Sequence, residues 1–289
     1  MAIALQSRQA VDHDEAAAIE DLETRLLLDA VHARYGFDFR EYASASIRRR
    51  LHRRRMEEGL DTFSALQDRL LHEPECMDRL LLDLSIHVTT MFRNPEFHRT
   101  FREQVVPVLR TYPFVRIWIT GCASGEEVYS TAILLREEEL YERSRIYATD
   151  MSDTAVRRSK AGIFDADLMK DYETNYIEAG GKGTLADYYT IRQGNAVMRA
   201  DLKSHIVFSR HNLAMEGPFN EFNLILCRNV IIYFNPALRA RVLRLFRDSL
   251  CRFGILGLGS RESLHSSGTG IETDFEELEG SQRLYRRIR

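Results

Sequence analysis

Apolar positions along the chain follow two regimes, helical in the first quarter and strand-like beyond it. From Glu15 onward Ile19, Leu22, Leu26, Ala30 and Ala33 recur at helical spacing, and Gly36 stands where a helix C-cap belongs. Ala43, Ile47 and Leu51 predict a second helix from about Asp38 to Glu58, stopped by Gly59. Phe63, Leu66 and Leu70 predict a third after Asp61-Thr62, and Pro74 opens a fourth, from Cys76 to about Leu84. Residues 1–14 are polar and are expected to fray or stay disordered. The pattern thus predicts a small all-helical domain over 15–86.

Beyond it, short β-branched runs alternate with amphipathic segments. Val115, Ile117 and Ile119 flank Trp118 in a run typical of a buried parallel strand. Further strands are expected at Arg145–Asp150, His205–Ser209, Phe222–Cys227 and Gly254–Gly259, with Arg283–Ile288 at the sheet edge. Helices are expected from Pro95 toward Val108, at Val128–Leu135, at Ser152–Ala161 and from Asn235-Pro236 through Leu250. This alternation predicts an α/β domain over 99–289 with a doubly wound, mostly parallel sheet. Residues 165–203 fit a small β-subdomain insertion, with strands near Tyr188–Arg192 and Ala196–Met198. The polar junction at 87–98 fits a linker or lid, with Thr89 and Arg93 as its candidate ligand-facing residues.

The strongest chemical signal follows the first strand. Gly121-Cys-Ala-Ser-Gly125 forms a small-residue turn, and Glu126 and Glu127 open the next helix. The turn lacks the Gly-x-Gly-x-x-Gly of a dinucleotide site, and two carboxylates there would repel a pyrophosphate. They suit the cationic amino group or sulfonium of S-adenosylmethionine (AdoMet), though either glutamate could instead cap its own helix. Asp150 ends the second strand roughly twenty residues past the turn, where such folds place an acid on ribose hydroxyls. Gly121, Asp150, Asn212 and Arg228-Asn229 all fall at carboxyl ends of predicted strands, where ligands bind in such sheets.

Composition narrows the picture little. The 289 residues are 44% hydrophobic and 29% charged, with a net charge of -3, an ordinary globular balance with no global drive toward nucleic acid. The four cysteines are dispersed, so neither a zinc site nor a disulfide framework is expected. No apolar run reaches the roughly 18 residues of a membrane span, and the charged start is unlike a signal peptide, so a cytoplasmic location is expected. One local feature stands out. Arg48, Arg49, Arg50, Arg53, Arg54 and Arg55 crowd the second helix, either as a solvated face or as a docking surface for an acidic protein.

Taken together, Thr89-x-Met-Phe-Arg93, Gly121-Cys-Ala-Ser-Gly-Glu-Glu-Val-Tyr-Ser130, Ala148-Thr-Asp150, Asn212-Leu213 and Cys227-Arg-Asn-Val-Ile-Ile-Tyr-Phe234 resemble the CheR-type chemotaxis receptor methyltransferases. The resemblance covers roughly residues 20 to 289. It implies an AdoMet-dependent protein-glutamate O-methyltransferase that releases S-adenosylhomocysteine and needs no metal. It would place Thr89, Arg93, Gly121, one of Glu126 and Glu127, Asp150, Asn212, Leu213, Arg228 and Asn229 around the cofactor, with Arg93 and Tyr233 facing the transferring methyl. The implied partner is a chemoreceptor, or another signalling protein with acidic methylation helices, met by the arginine-rich helix. His87 departs from the family, standing where many members have Asn. Two rival classes remain. A nucleic-acid amino methyltransferase would want an Asp/Asn-Pro-Pro-aromatic motif where Arg228-Asn-Val-Ile-Ile-Tyr233 stands, and a non-catalytic AdoMet sensor would keep the ligand residues without turnover.

Overall fold

The computed structural model describes residues 2–84, 89–265, 270–279 and 281–289. The chain divides into two compact units, Met1–Leu84 and Ser85–Arg289. The first holds four helices, α1 (Ala2–Tyr35), α2 (Ser44–Glu57), α3 (Phe63–His72) and α4 (Pro74–Leu84).

Helix α1 begins at Ala2 and runs through the segment expected to fray, because good helix formers dominate there and no Gly or Pro intervenes before Gly36. Its buried stripe is Thr24, Leu27 and Val31, while Ile19, Leu22 and Leu26 are exposed. Helix α2 starts later than the apolar spacing suggests. The backbone and guanidinium of Arg40 donate to Asp38 Oδ1 at 3.1 and 2.9 Å, a local turn that keeps this stretch out of the helix. Thr62 caps α3, accepting from the Ala65 amide at 3.1 Å.

The second unit opens with α5 (Pro95–Thr100), which passes through a π-turn at Phe101–Val105 into α6 (Val106–Arg110), where a single helix was expected. Pro107 has no N–H to give the Glu103 carbonyl, so the hydrogen-bond ladder shifts register ahead of it. There follow β1 (Val115–Thr120), α7 (Glu126–Glu137), β2 (Ser144–Asp150), α8 (Asp153–Ala161), β3 (Ile163–Asp165), α9 (Met169–Glu178), β4 (Tyr189–Arg192), β5 (Asn195–Met198), β6 (Ile206–Arg210) and β7 (Phe222–Cys227). The chain closes with α10 (Pro236–Ser249), β8 (Leu250–Leu258), β9 (Phe275–Glu279) and β10 (Leu284–Arg287).

Seven strands form one sheet in the order β6-β2-β1-β7-β8-β10-β9, parallel from β6 to β8. Strand β10 runs antiparallel between β8 and β9, so the edge belongs to β9 and not to the C-terminal strand. The two faces of β1 carry different cores. Ile117 and Ile119 join the cluster that includes Val128, Ala132 and Ile133 of α7. Trp118 points the other way, among Phe219, Phe222 and Phe246, with its Nε1 donating to Thr149 Oγ1 at 2.8 Å. The insertion is an antiparallel sheet, β3-β5-β4, together with the unforeseen helix α9, whose inner face is Met169, Tyr172 and Tyr176.

Candidate active site

Thr120 pairs with Thr149, so β1 and β2 end level and bring the Gly121 turn beside Asp150. Within the turn Gly121, Ala123 and Gly125 all take the left-handed region, with φ of 64°, 46° and 104°. Neither glycine has room for a side chain. A Cβ on Gly121 would stand 2.6 Å from Val230 Cγ2, and one on Gly125 would stand 2.7 Å from Ser159 Oγ. Ala123 is held in its strained conformation by its amide, which donates to Asp150 Oδ2 at 3.1 Å.

Asp150 is buried, and its other oxygen accepts from the Ser152 amide at 3.0 Å. Burial raises its pKa, against the lowering effect of the backbone N–H groups of Ser152, Ala123 and Met151. The expected N-cap of α8 is Ser152, which accepts from the Ala155 amide, so Asp150 is not needed there. The ends of β2 and β6 are stitched by the His211 amide, which donates to the Asp150 carbonyl at 3.0 Å. Asn212 and Leu213 follow at once. Asn212 Oδ1 accepts from Ala214 N at 3.0 Å, and Leu213 is buried.

The two glutamates that open α7 have different surroundings. Glu126 is buried and accepts from Ser124 Oγ at 2.7 Å and from the Tyr172 hydroxyl at 3.5 Å. No Lys or Arg pairs with it among the described residues, and burial pushes its pKa up to about 7. Glu127 has a counter-ion. Arg228 Nη1 meets its two oxygens at 2.8 and 3.1 Å. The Arg228 side chain is 3% exposed, stacks 3.9 Å over Phe97, and donates from Nη2 to the Arg93 carbonyl and Asn94 Oδ1, each at 3.0 Å. Arg228 and Glu127, both expected near the ligand, neutralise each other and hold the 93–94 turn.

Arg93, Thr89 and Tyr233 are half-buried, Arg93 and Thr89 in the segment before α5 and Tyr233 at the end of a 3-10 turn, Ile231–Tyr233. That segment is tied to α7 through a shared hydroxyl. The Phe92 amide donates to Ser130 Oγ at 2.8 Å, and Ser130 Oγ donates to the Glu126 carbonyl at 2.6 Å. His87 lies outside the described residues.

Asn229 sits at φ 61°, in the left-handed region, next to a residue that sequence reasoning missed. Glu262, buried in the turn after β8, accepts the amides of Gly259, Asn229, Val230 and Ile232 at 2.7 to 3.2 Å. Its burial raises its pKa despite those four donors. The available signal was its place, an acid just past the glycine-rich end of a core strand.

The arginine run in the first unit splits by face. Arg50 and Arg54 are buried, which removes them from any docking surface. Arg50 donates to the Leu84 carbonyl, and Arg54 pairs with Glu57, Glu58 and Asp83. Arg49 and Arg53 are exposed, while Arg48 and Arg55 are half-buried. Arg48 pairs with Asp21, Arg53 with Glu57, and Arg55 donates to the Asp61 carbonyl.

Asp150 and Glu126 thus grip consecutive residues of one turn, Ala123 and Ser124. A buried acid at one end that can accept hydroxyls, and at the other a buried acid lacking a cation, fit a ligand with a ribose and an ammonium group. The strand order defines a doubly wound, mostly parallel α/β protein, and the family match places it in the AdoMet-dependent methyltransferase class. The chain belongs to the CheR methyltransferase family, with residues 87–280 matching its SAM-binding domain and residues 22–85 its all-alpha domain. It is 48% identical over 268 residues to Cher3 of Pseudomonas putida, provisionally named a methyltransferase, covering 92% of this chain and 97% of that one. It is 28% identical to the chemotaxis protein methyltransferase of Listeria innocua, over 82% of this chain and 89% of that one. The corresponding figures for chemotaxis protein methyltransferase 1 of Pseudomonas aeruginosa are 25%, 75% and 81%. Among the described residues, no helix is long and apolar enough to cross a membrane.

Proposed function

We propose that the protein transfers the methyl group of AdoMet to glutamate side chains of a chemoreceptor-like signalling protein, giving methyl esters and S-adenosylhomocysteine. The observation that carries the reading is Glu126, a buried carboxylate whose partners are hydroxyls, one turn residue away from the contact of Asp150. The glutamate acceptor is supported by the family match and by relatives named chemotaxis methyltransferases.

In this reading Glu126 holds the cofactor's ammonium and Asp150 its ribose hydroxyls, while Asn212, Leu213 and Asn229 line the remainder. The bound cofactor supplies a methyl already activated on a sulfonium. A glutamate carboxylate is a nucleophile at neutral pH, so no residue of this chain has to remove a proton. One carboxylate oxygen forms the new bond to carbon as the sulfur–carbon bond breaks. Catalysis is then mainly alignment and exclusion of water. Arg93 orients the incoming carboxylate, in a contact loose enough not to over-stabilise the ground state, and Tyr233 borders the transfer point. The acidic methylation helices of the partner meet the exposed arginines of α2, chiefly Arg49 and Arg53.

The test is transfer of label from methyl-labelled AdoMet to a membrane fraction of the source cells, followed by mild base. Volatile labelled methanol identifies a carboxyl methyl ester. Base-stable label would mean an N-methyl product and would reject the glutamate reading. Binding of S-adenosylhomocysteine with no label transferred to any receptor preparation would favour a sensor.

A further inference from the structure

Four backbone N–H groups converge on the Glu262 carboxylate. Gly259 and Asn229 donate to Oε2 at 2.7 and 2.9 Å, and Val230 and Ile232 donate to Oε1 at 2.8 and 3.2 Å. Three of these donors lie in the short stretch between Arg228 and Tyr233. An ionised carboxylate suits this task because it only accepts and has about four lone-pair sites. The same stretch forms a wall of the ligand turn, since Val230 occupies the space beside Gly121, where a Cβ would come within 2.6 Å of it.

We propose that Glu262 is a positioning residue for methyl transfer, its carboxylate fixing Asn229, Val230 and Ile232 and so holding Val230 against the Gly121 turn. The proposal rests on the AdoMet reading of that turn given above. Glu262 reaches the ligand only through the loop, by setting how far Val230 stands from Gly121 and by keeping Asn229 in its left-handed conformation. A neutral amide cannot replace it. Gln at this position would turn its own N–H groups toward two of the four donors, leaving buried amides unpaired.

The experiment compares wild type with E262Q, E262D and G259A, measuring S-adenosylhomocysteine affinity by calorimetry, kcat and KM for AdoMet, and the thermal midpoint. E262Q is expected to weaken S-adenosylhomocysteine binding roughly 10- to 100-fold, the size set by unpaired buried donors, with KM for AdoMet rising in parallel. E262D, which keeps the charge, recovers part of the loss. G259A leaves the carboxylate intact but puts a Cβ 2.7 Å from Glu262 Oε2 and 2.8 Å from Asn229 N, so it should reproduce the loss. A lower midpoint with unchanged affinity in the folded protein would assign Glu262 a purely structural role and overturn the proposal. Wild-type affinity and kinetics in E262Q would do the same. Wild-type protein that binds no S-adenosylhomocysteine would overturn the AdoMet reading and this proposal with it, an outcome recognisable because it appears in the unmodified chain.

Discussion

Arg228 and Glu127 form a part-buried clamp, Nη1 to carboxylate at 2.8 and 3.1 Å, with the guanidinium lying 3.9 Å over the Phe97 ring. The pair joins the end of β7 to the first turn of α7, and through the Arg93 carbonyl it also sets the segment before α5. Removing only the cation leaves Glu127 without its counter-ion. R228M should therefore destabilise the fold by about 3 kcal/mol in urea denaturation, and E127Q/R228M by less, because no charge is then stranded. Equal loss in the single and the double variant would contradict this.

Ligand binding should depend on pH through Glu126. Burial raises its pKa from 4.5 to about 7, so the free folded protein holds this proton more tightly than the unfolded chain. The stability it contributes is full below the unfolded value and is lost as pH rises through about 7. An ammonium ligand selects the ionised form. S-adenosylhomocysteine affinity should thus rise about tenfold per pH unit below that pKa and level off above it. Calorimetry in buffers of different ionisation enthalpy should show proton release approaching one on the acid side. E126Q should weaken binding and flatten the profile, and a pH-independent affinity in wild type would count against Glu126 as the ammonium site.

The turn should tolerate no side chain at Gly121. G121A combines a left-handed φ of 64° with a Cβ 2.6 Å from Val230 Cγ2. The backbone term alone costs roughly 1–2 kcal/mol. G121A is expected to lose at least tenfold in S-adenosylhomocysteine affinity. G121A/V230A should recover the steric part but not the backbone part, a partial rescue that calorimetry can resolve.

The arginines of α2 should separate into two phenotypes. R49E and R53E are expected to leave the thermal midpoint nearly unchanged and to slow methylation of an acidic receptor, with the difference shrinking as salt is added. R50A and R54A should lower the midpoint, because each strips a buried carbonyl or carboxylate of its donor. A midpoint loss of the same size for Arg49 and Arg50 substitutions would refute the division.

That division was legible in the sequence, since Arg50 and Arg54 share the helical face of Ile47 and Leu51; density of charge obscured it. The strands were the clearest elements. Phe222–Cys227 is apolar from Leu224 onward because a strand flanked on both faces has no polar side to show. Strand β9, Phe-Glu-Glu-Leu-Glu, gave no such signal, as an edge strand takes its place from pairing with β10 more than from burial. Asp150 could be found from its distance to the glycine turn. Glu262 could not be placed the same way, because it stands far from the glycine turn in sequence and no fixed spacing marks it. The different surroundings of Glu126 and Glu127 could not be read from sequence either, since they turn on which of the two Arg228 reaches.

The small sheet of the insertion begins and ends at one place. Ile163 pairs with Val197, and the Met198 amide donates to the Gly162 carbonyl at 2.9 Å, so the chain leaves the main fold and rejoins it across a single ladder rung. The exposed outer strand of such a module, Tyr189–Arg192, can change in length without moving α8 or β6. Several contacts limit that freedom: Phe164, Met169 and Tyr176 belong to the core of the main domain, Asn175 donates to the Met91 carbonyl at 3.1 Å, and the Tyr172 hydroxyl reaches Glu126 at 3.5 Å. Any replacement must supply that hydroxyl again or raise the pKa of Glu126 further.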